Sequence, residues 1–413
     1  MQNILIATDR LTEELATLAR ISEANPPVVT RVVFSEADLR ARAYLKQLAG
    51  EASLAIREDA AGNTFFRWPG SDPDLPAVAT GSHIDAIPNA GAYDGTVGVL
   101  GGLEAIRALK QSGFQPRRSI ELILFTSEEP TRFGIGCLGS RLMGSVLTPD
   151  QALTLRDQEN RSIDDLRHST GFTGDLGTVA IPPNQYQAFV ELHIEQGPIL
   201  EKEGLDIGIV THIAAPASLR IHIEGEGGHA GAMLMPIRHD ALCAAAELIL
   251  ALESAAKSTG AIDSVATVGV CDVFPGAINS VPSRVRLEID CRDTDGNRRD
   301  HILFQLKEKA REVSTQREVQ IRFEPINADP PATSAPFILD AIEAAATEAR
   351  LTHRRMVSRA YHDSLFVARF APVAMIFIPC RNGVSHRPDE YSSPEQIEKG
   401  VQVLAKTLAQ LAT

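Results

Sequence analysis

Cysteine is scarce. The 413-residue chain has five (Cys137, Cys243, Cys271, Cys291, Cys380), an odd number, far apart and without a C-x-x-C pair. That excludes a disulfide framework and argues against a cysteine zinc site. Positive charge is also outnumbered: 40 Lys and Arg stand against 53 Asp and Glu, for a net charge of −13. Binders of nucleic acid or of anionic membrane surfaces carry the opposite balance. A small anionic substrate is still compatible, because a few arginines make a local positive pocket. No apolar run reaches the roughly 18–20 residues of a membrane helix. A G-x-S-x-G nucleophile turn and a G-x-x-x-x-G-K-[ST] phosphate loop are both missing, as is any cysteine in a recognisable catalytic context. The N-terminal stretch MQNILIATDRLTEELATLAR places Asp9, Glu13 and Glu14 where a secretory signal has its apolar stretch. A cytoplasmic enzyme is the expectation.

Hydrophobic residues make up 44% and charged residues 23%, ordinary for a globular protein long enough for two domains. The first half alternates strand and helix. PAVATGSH (76–83) reads as a buried strand and TVGVLGGLEAIRALKQSG (96–113) as a helix capped at Gly113. RRSIELILFTSEEP (117–130) is a strand that ends in two acids. This rhythm predicts an α/β fold, a mostly parallel mixed sheet flanked by helices, with ligands outside the carboxyl ends of its strands. From about residue 212 the order becomes βαββαβ. Strands are predicted over 218–227, 263–274, 283–293 and 318–326, and helices over 238–257 and 297–316. NADPPATSAP (327–336) reads as a linker, followed by a helix over 337–349 and a strand over 373–379. The predicted organisation is a catalytic domain over 1–211 and 328–413, interrupted by an α+β domain over 212–327.

Five segments set metal-ligand side chains beside glycines or sharp turns: GSHIDAIPNAGAYDG (81–95), FTSEEPTRFG (125–134), ELHIEQG (191–197), GEGGHAGAMLMP (225–236) and GVSHRPDEY (383–391). His83, Asp94, Glu129, His193 and His386 together suit a pair of divalent ions, with Asp94 able to bridge them. A mixed imidazole and carboxylate shell favours zinc or manganese over magnesium or calcium. Asp85 is placed to hold the other ring nitrogen of His83. Glu128 and Glu129 are neighbours at a strand end, so their side chains point opposite ways. One is free to bind metal while the other acts as general base and then general acid. In the inserted domain, Arg292 suits a substrate carboxylate, His229 suits a developing oxyanion, and Asn279 lies in a turn-like GAINSVP.

With these segments in order, the chain resembles the M20 metallopeptidase superfamily in its amidohydrolase/carbamoylase branch, from about residue 30 to the C-terminus. That branch acts on allantoate, ureidoglycolate, N-carbamoyl-L-amino acids and β-ureidopropionate. The resemblance implies a zinc-exopeptidase-like catalytic domain with an inserted dimerisation and lid domain. By position, His83 and His193 would bind one metal, Glu129 and His386 the other, Asp94 would bridge, and Glu128 would be the base. It further implies a homodimer in which His229 reaches the partner's active site, with Asn279, Arg292 and Gln196 contacting substrate. His193 is typical of the amidohydrolase branch, where many peptidase relatives have Asp. SHIDAIP (82–88), TSEEPTRFGIGCLGSR (126–141), IAAPASL (213–219), SRAYHDSLF (358–366) and MIFIPC (375–380) look most like the ureidoglycolate-cleaving members. Tyr361 stands where other members have a small residue, and a phenol there would shorten the pocket and offer a hydroxyl. NAGAYDG (89–95) departs from the plant forms around Asn89 and Ala92. The implied activity is cleavage of a small ureido acid, releasing ammonia and CO2 in purine nitrogen catabolism. Two metal ions per subunit are implied, manganese by the ureidoglycolate-type relatives, with zinc fitting the same ligands. Allantoate or N-carbamoyl-L-amino acid hydrolysis, and a non-catalytic ureido-acid binder, are the rival readings.

Overall fold

The computed structural model describes residues 4–413, and residues 1–3 of the N-terminal stretch lie outside the described residues. The chain divides into two compact units. One comprises residues 1–211, 333–358 and 362–413, and the other residues 212–332 with the short return 359–361. The second crossing thus falls at 332/333 rather than at 327/328. The Pro-rich segment is not wholly linker: the strand Gln320–Ala328 runs into it, and Pro336 opens the next helix.

The larger unit is built on a mixed sheet. Its path runs Ile207–Ile213, Val373–Ile378, Tyr186–Ile194, Ala77–Ser82, Ile120–Leu124, Thr64–Trp68, Ala55–Glu58. The four strands from Val373–Ile378 to Ile120–Leu124 are mutually parallel. The flanking strands Ile207–Ile213, Thr64–Trp68 and Ala55–Glu58 each pair antiparallel with the inner neighbour. The parallel strands read as continuous apolar runs because both faces are covered. Helix Thr96–Gln111 is buried from Thr96 to Leu109, since it packs on the sheet and against the helices Thr8–Arg20 and Pro394–Leu411. Its approach to the sheet is close: a Cβ on Gly98 would sit 2.4 Å from the carbonyl oxygen of Leu192.

The smaller unit is a four-stranded antiparallel sheet ordered Val265–Phe274, Arg284–Asp293, Ala215–Glu224, Gln320–Ala328. Helices Ala241–Ser258 and Gly296–Arg317 bury Leu248, Leu252, Ile302 and Leu306 against the inward residues Ile221, Ile223, Leu287 and Ile289. The alternate residues of these strands carry a cross-strand row of ion pairs, Asp272–Arg286, Glu288–Arg220 and Arg220–Glu324, as strand periodicity requires. Among the described residues no helix is long and apolar enough to cross a membrane.

Candidate metal centre

The four parallel strands each deliver one part of a single site from their carboxyl ends. His83 follows Ala77–Ser82, the Glu128–Glu129 pair follows Ile120–Leu124, His193 lies within the end of Tyr186–Ile194, and His386 follows Val373–Ile378. Asp94 enters on the turn before helix Thr96–Gln111. Its two carboxylate oxygens face different partners. Oδ1 is 3.5 Å from His83 Nε2 and 3.2 Å from His193 Nε2. Oδ2 is 3.4 Å from His386 Nε2, which is itself 3.2 Å from Glu129 Oε1. The structure therefore assembles two triads of ligand-type atoms, His83–Asp94–His193 and Asp94–Glu129–His386, sharing one carboxylate. Two atoms each about 2.1 Å from one ion, at a near-tetrahedral angle, lie roughly 3.4 Å apart. The observed spacings match that value.

The ring tautomers are set by backbone. His83 Nδ1 donates to the carbonyl of Asp85 at 3.0 Å and His193 Nδ1 to that of Ile194 at 2.9 Å. Each ring thus turns its Nε2 toward Asp94. The backbone N–H of Gly95, 3.2 Å from His193 Nε2, is consistent with that assignment. His386 is the solvent-side member of the two triads, its side chain 45% exposed, whereas His83, His193 and Glu129 are buried.

Asp85 departs from expectation. Its carboxylate lies 3.8 Å from His83 Nδ1 and instead accepts the backbone N–H groups of Glu128 at 3.2 Å and Glu129 at 3.0 Å. Its carbonyl, not its side chain, orients His83, because the backbone is closer after the strand ends. The carboxylate fixes the turn that presents the two glutamates, and burial lifts its pKa to about 6.

Glu128 and Glu129 diverge. Glu129 faces His386, while Glu128 Oε2 lies 3.7 Å from His83 Nε2 and Glu128 Oε1 accepts from the Cys137 thiol at 3.5 Å. Burial pushes the Glu128 carboxyl well above the usual carboxylate range. Glu129 and Asp363 add to this, and His83 opposes it. Burial also works against the charge of Asp94, but His193 and His83 outweigh it and hold its pKa low. Hydrogen bonding to Glu129 raises His386 to about 9. Crowded carboxylates of this kind favour a bound cation.

Further groups complete the site, Glu390 and Ser385 among them without an expectation from sequence. Glu390 Oε1 accepts the N–H groups of Tyr93 at 2.7 Å and Asp94 at 3.0 Å, and Ser385 bridges Glu390 and Asp94. Gln196 Nε2 donates to Asp94 Oδ2 at 2.6 Å, while its buried Oε1 has no partner. Gln196 and His386 both hold positive φ, 54° and 59°, the kind of backbone strain that clusters at functional sites.

The remaining candidates lie in the smaller unit. His229 pairs in register with Ser280, and the N–H of Ala230 donates to the carbonyl of Asn279 at 2.8 Å, so the exposed His229 and Asn279 lie together at one short two-strand ribbon. Arg292 is held by both oxygens of Asp290, at 2.7 and 3.1 Å, and its guanidinium lies 5.8 Å from the Tyr361 ring centre.

Comparison with known proteins agrees with this geometry. The model of Peptidase family M20/M25/M40 matches residues 79–410. The ureidoglycolate hydrolase of Arabidopsis thaliana is 54% identical over 97% of this chain and 86% of its own length. That of Oryza sativa subsp. japonica is 53% identical over 98% and 85%. The crystal structures of AtUAH in complex with glyoxylate and with (S)-hydroxyglycine are 52% identical, cover 99% of this chain and 98% of that one, and superpose with a TM-score of 0.88. On sequence, fold and site together, the chain belongs to peptidase family M20/M25/M40.

Proposed function

We propose that this protein is a metal-dependent amidohydrolase that cleaves the ureido group of ureidoglycolate, with two manganese ions held by His83, Asp94, His193, Glu129 and His386. The observation that carries the reading is the split carboxylate of Asp94, one oxygen on each triad, with the buried Glu128 alongside. The substrate follows from the likeness to the two ureidoglycolate hydrolases. Zinc fits the same donors. Divalent ions in this donor set supply Lewis acidity toward the ureido carbonyl and lower the pKa of water to about 7.

The chain's own residues do the rest. Glu128, raised by burial, takes a proton from the attacking water at Oε2 and passes it to the departing nitrogen. Water adds to the ureido carbonyl and the bond to the terminal nitrogen breaks. Ammonia leaves, the carbamate left on the other nitrogen loses CO2, and hydroxyglycine remains. Hydroxyglycine is a carbinolamine that gives glyoxylate on losing its own ammonia. Expulsion of the terminal nitrogen first agrees with the AtUAH complex with (S)-hydroxyglycine. The unpartnered Gln196 Oε1 suits an N–H of the ureido group.

The inserted domain, residues 212–332 with 359–361, serves as the dimerisation and lid domain in this reading. Its Arg292 and Asn279 hold the carboxylate, Tyr361 closes the pocket on a short substrate, and His229 donates to the oxyanion in the active site of the other subunit of a homodimer. His229→Ala should then lower turnover about 10²–10³-fold with unchanged folding, and wild-type turnover would remove that role. Two exposed free thiols, Cys243 and Cys271, suit a reducing cytoplasm.

The deciding assay is ammonia release by the manganese-loaded protein with ureidoglycolate, allantoate and an N-carbamoyl-L-amino acid in parallel. Selective turnover of ureidoglycolate is expected. Preference for either larger acid would keep the metal chemistry and overturn the substrate assignment. No turnover on any of them, with ureido acids still bound, would favour a binding protein.

A further inference from the structure

Beneath the metal centre lies a buried carboxylate that the mechanism does not use. Glu191 is fully buried, two residues before His193 on the same strand and so on the same face. Its Oε1 accepts from Ser82 Oγ at 2.8 Å, and Ser82 is the residue before His83. Its Oε2 accepts from the backbone N–H of Ser364 at 3.1 Å and from Ser364 Oγ at 2.6 Å. Ser364 lies in the first turn of helix Asp363–Val367, whose preceding residue His362 packs edge-on against the His193 ring with centroids 4.5 Å apart. His362 Nε2 in turn shares a hydrogen bond with Ser358 Oγ at 3.0 Å. One side chain therefore joins three segments: the strand end that carries His83, the strand that carries His193, and the helix start that braces the His193 ring.

Glu191, His193 and His362 also bring ligand-type atoms within 4.8 Å of one another. Both oxygens of Glu191 are already engaged by three donors, His193 directs Nδ1 to Ile194, and His362 Nε2 is taken by Ser358. The group is saturated with protein hydrogen bonds, which is the character of a brace and not of an ion cage.

We propose that Glu191 is a positioning residue that sets the separation and aim of His83 and His193 through its three hydrogen bonds to Ser82 and Ser364. The inference rests on the reading of His83 and His193 as ligands of one metal ion. Outer groups that orient metal ligands typically contribute about 10–100-fold in metal affinity. In Glu191→Gln, the amide oxygen takes the place of Glu191 Oε2 and accepts both donors of Ser364, while the amide N–H donates to Ser82 Oγ, which turns to accept. The conservative variant should therefore rescue the function.

The test is manganese affinity of the metal-free protein by equilibrium dialysis, with circular dichroism and thermal melting of each metal-free variant. Glu191→Ala should bind manganese about 10–100-fold more weakly, and Ser364→Ala should weaken it by a smaller factor. Glu191→Gln should stay within about threefold of wild type. Should Glu191→Ala fail to fold, Ser364→Ala and Glu191→Gln carry the test. Wild-type affinity in Ser364→Ala and Glu191→Ala would overturn the proposal, and so would a loss in Glu191→Gln as deep as in Glu191→Ala. A wild-type protein that takes up no manganese would instead overturn the metal-site reading on which the proposal stands.

Discussion

Replacing Gly95 by alanine should disable the centre from one methyl group. Gly95 precedes helix Thr96–Gln111 with φ 66° and ψ −42°, a conformation that costs an L-residue about 1–3 kcal/mol. The added Cβ would lie 2.4, 2.5 and 2.6 Å from Nε2, Cδ2 and Cε1 of His83, where ordinary contact begins at 3.4 Å. His83 would have to retreat by about 1 Å, yet it is buried and tied through Nδ1 to the Asp85 carbonyl. Overpacking of this kind adds about 1–3 kcal/mol, so the expected destabilisation is roughly 2–6 kcal/mol. A 1 Å misplacement in an active site costs about 10²-fold in rate. Urea unfolding of the metal-free protein, metal content after dialysis, and kcat/KM on ureidoglycolate measure the three consequences. Gly204→Ala is the control: Gly204 also has positive φ, 65°, but a Cβ there would meet no atom within 4 Å. It should cost about 1 kcal/mol and leave turnover unchanged. Full metal content and turnover within about threefold of wild type in Gly95→Ala would refute the steric argument.

Other perturbations separate chemistry from scaffold. Glu128→Gln keeps the shape of the side chain but cannot move a proton, so kcat should fall about 10²–10⁴-fold while metal content by mass spectrometry stays at the wild-type level. Arg42→Leu strands the Asp38 carboxylate, which Arg42 Nε meets at 3.0 Å, and frees the carbonyl of Gly62 and the hydroxyl of Thr126. Breaking such a buried pair should cost about 3–5 kcal/mol in urea unfolding, and Asp38→Leu on the same background should recover part of it. Asp206 joins Lys399 Nζ at 2.6 Å and Thr352 Oγ1 at 2.8 Å. Burial opposes its charge, but these partners outweigh it and hold its pKa below the ordinary 3.8. Its contribution is complete above pH 3.8 and disappears as pH falls through the folded value. Wild type should exceed Asp206→Asn in stability at pH 6, with the two curves converging below pH 4.

How legible the molecule was from its sequence depended on how local each signal is. Three of the four parallel strands announce themselves as apolar runs, with His83, Glu129 and His386 beyond their ends, whereas the strand that carries His193 was not predicted. The βαββαβ unit reads equally well, since its strands alternate and its helices keep one apolar face. What could not be read is who pairs across the chain. The Asp85 carboxylate finds the N–H of Glu129 44 residues on, Glu390 caps Tyr93 from 297 residues away, and Glu191 meets Ser364 across 173. Asp85 stands just past a predicted strand, Glu191 and Glu390 in stretches that carried no predicted element, and sequence gives such an acid no direction. Asp85 shows the cost: proximity to His83 in sequence pointed to the imidazole, while the fold placed two backbone N–H donors nearer.

The division of labour among the acids follows from those partners. Asp94 lies between His83 and His193 on one oxygen and His386 on the other, and stays charged because the imidazoles outweigh its burial. Glu128 meets a thiol and two neighbouring carboxylates, and burial raises its pKa instead. Two buried carboxyls in one cleft are thereby driven apart, one fit to hold cations and the other to carry a proton, and such a separation is how acid and base roles are assigned within one site. Asp85 and Glu390 take neither role because backbone N–H groups occupy them. Their work is to fix where Glu128, Glu129 and Asp94 start. In the proposed reaction the bridging carboxylate and the free one are both ordinary acids in the sequence, and the fold distinguishes them by which donors it brings to each.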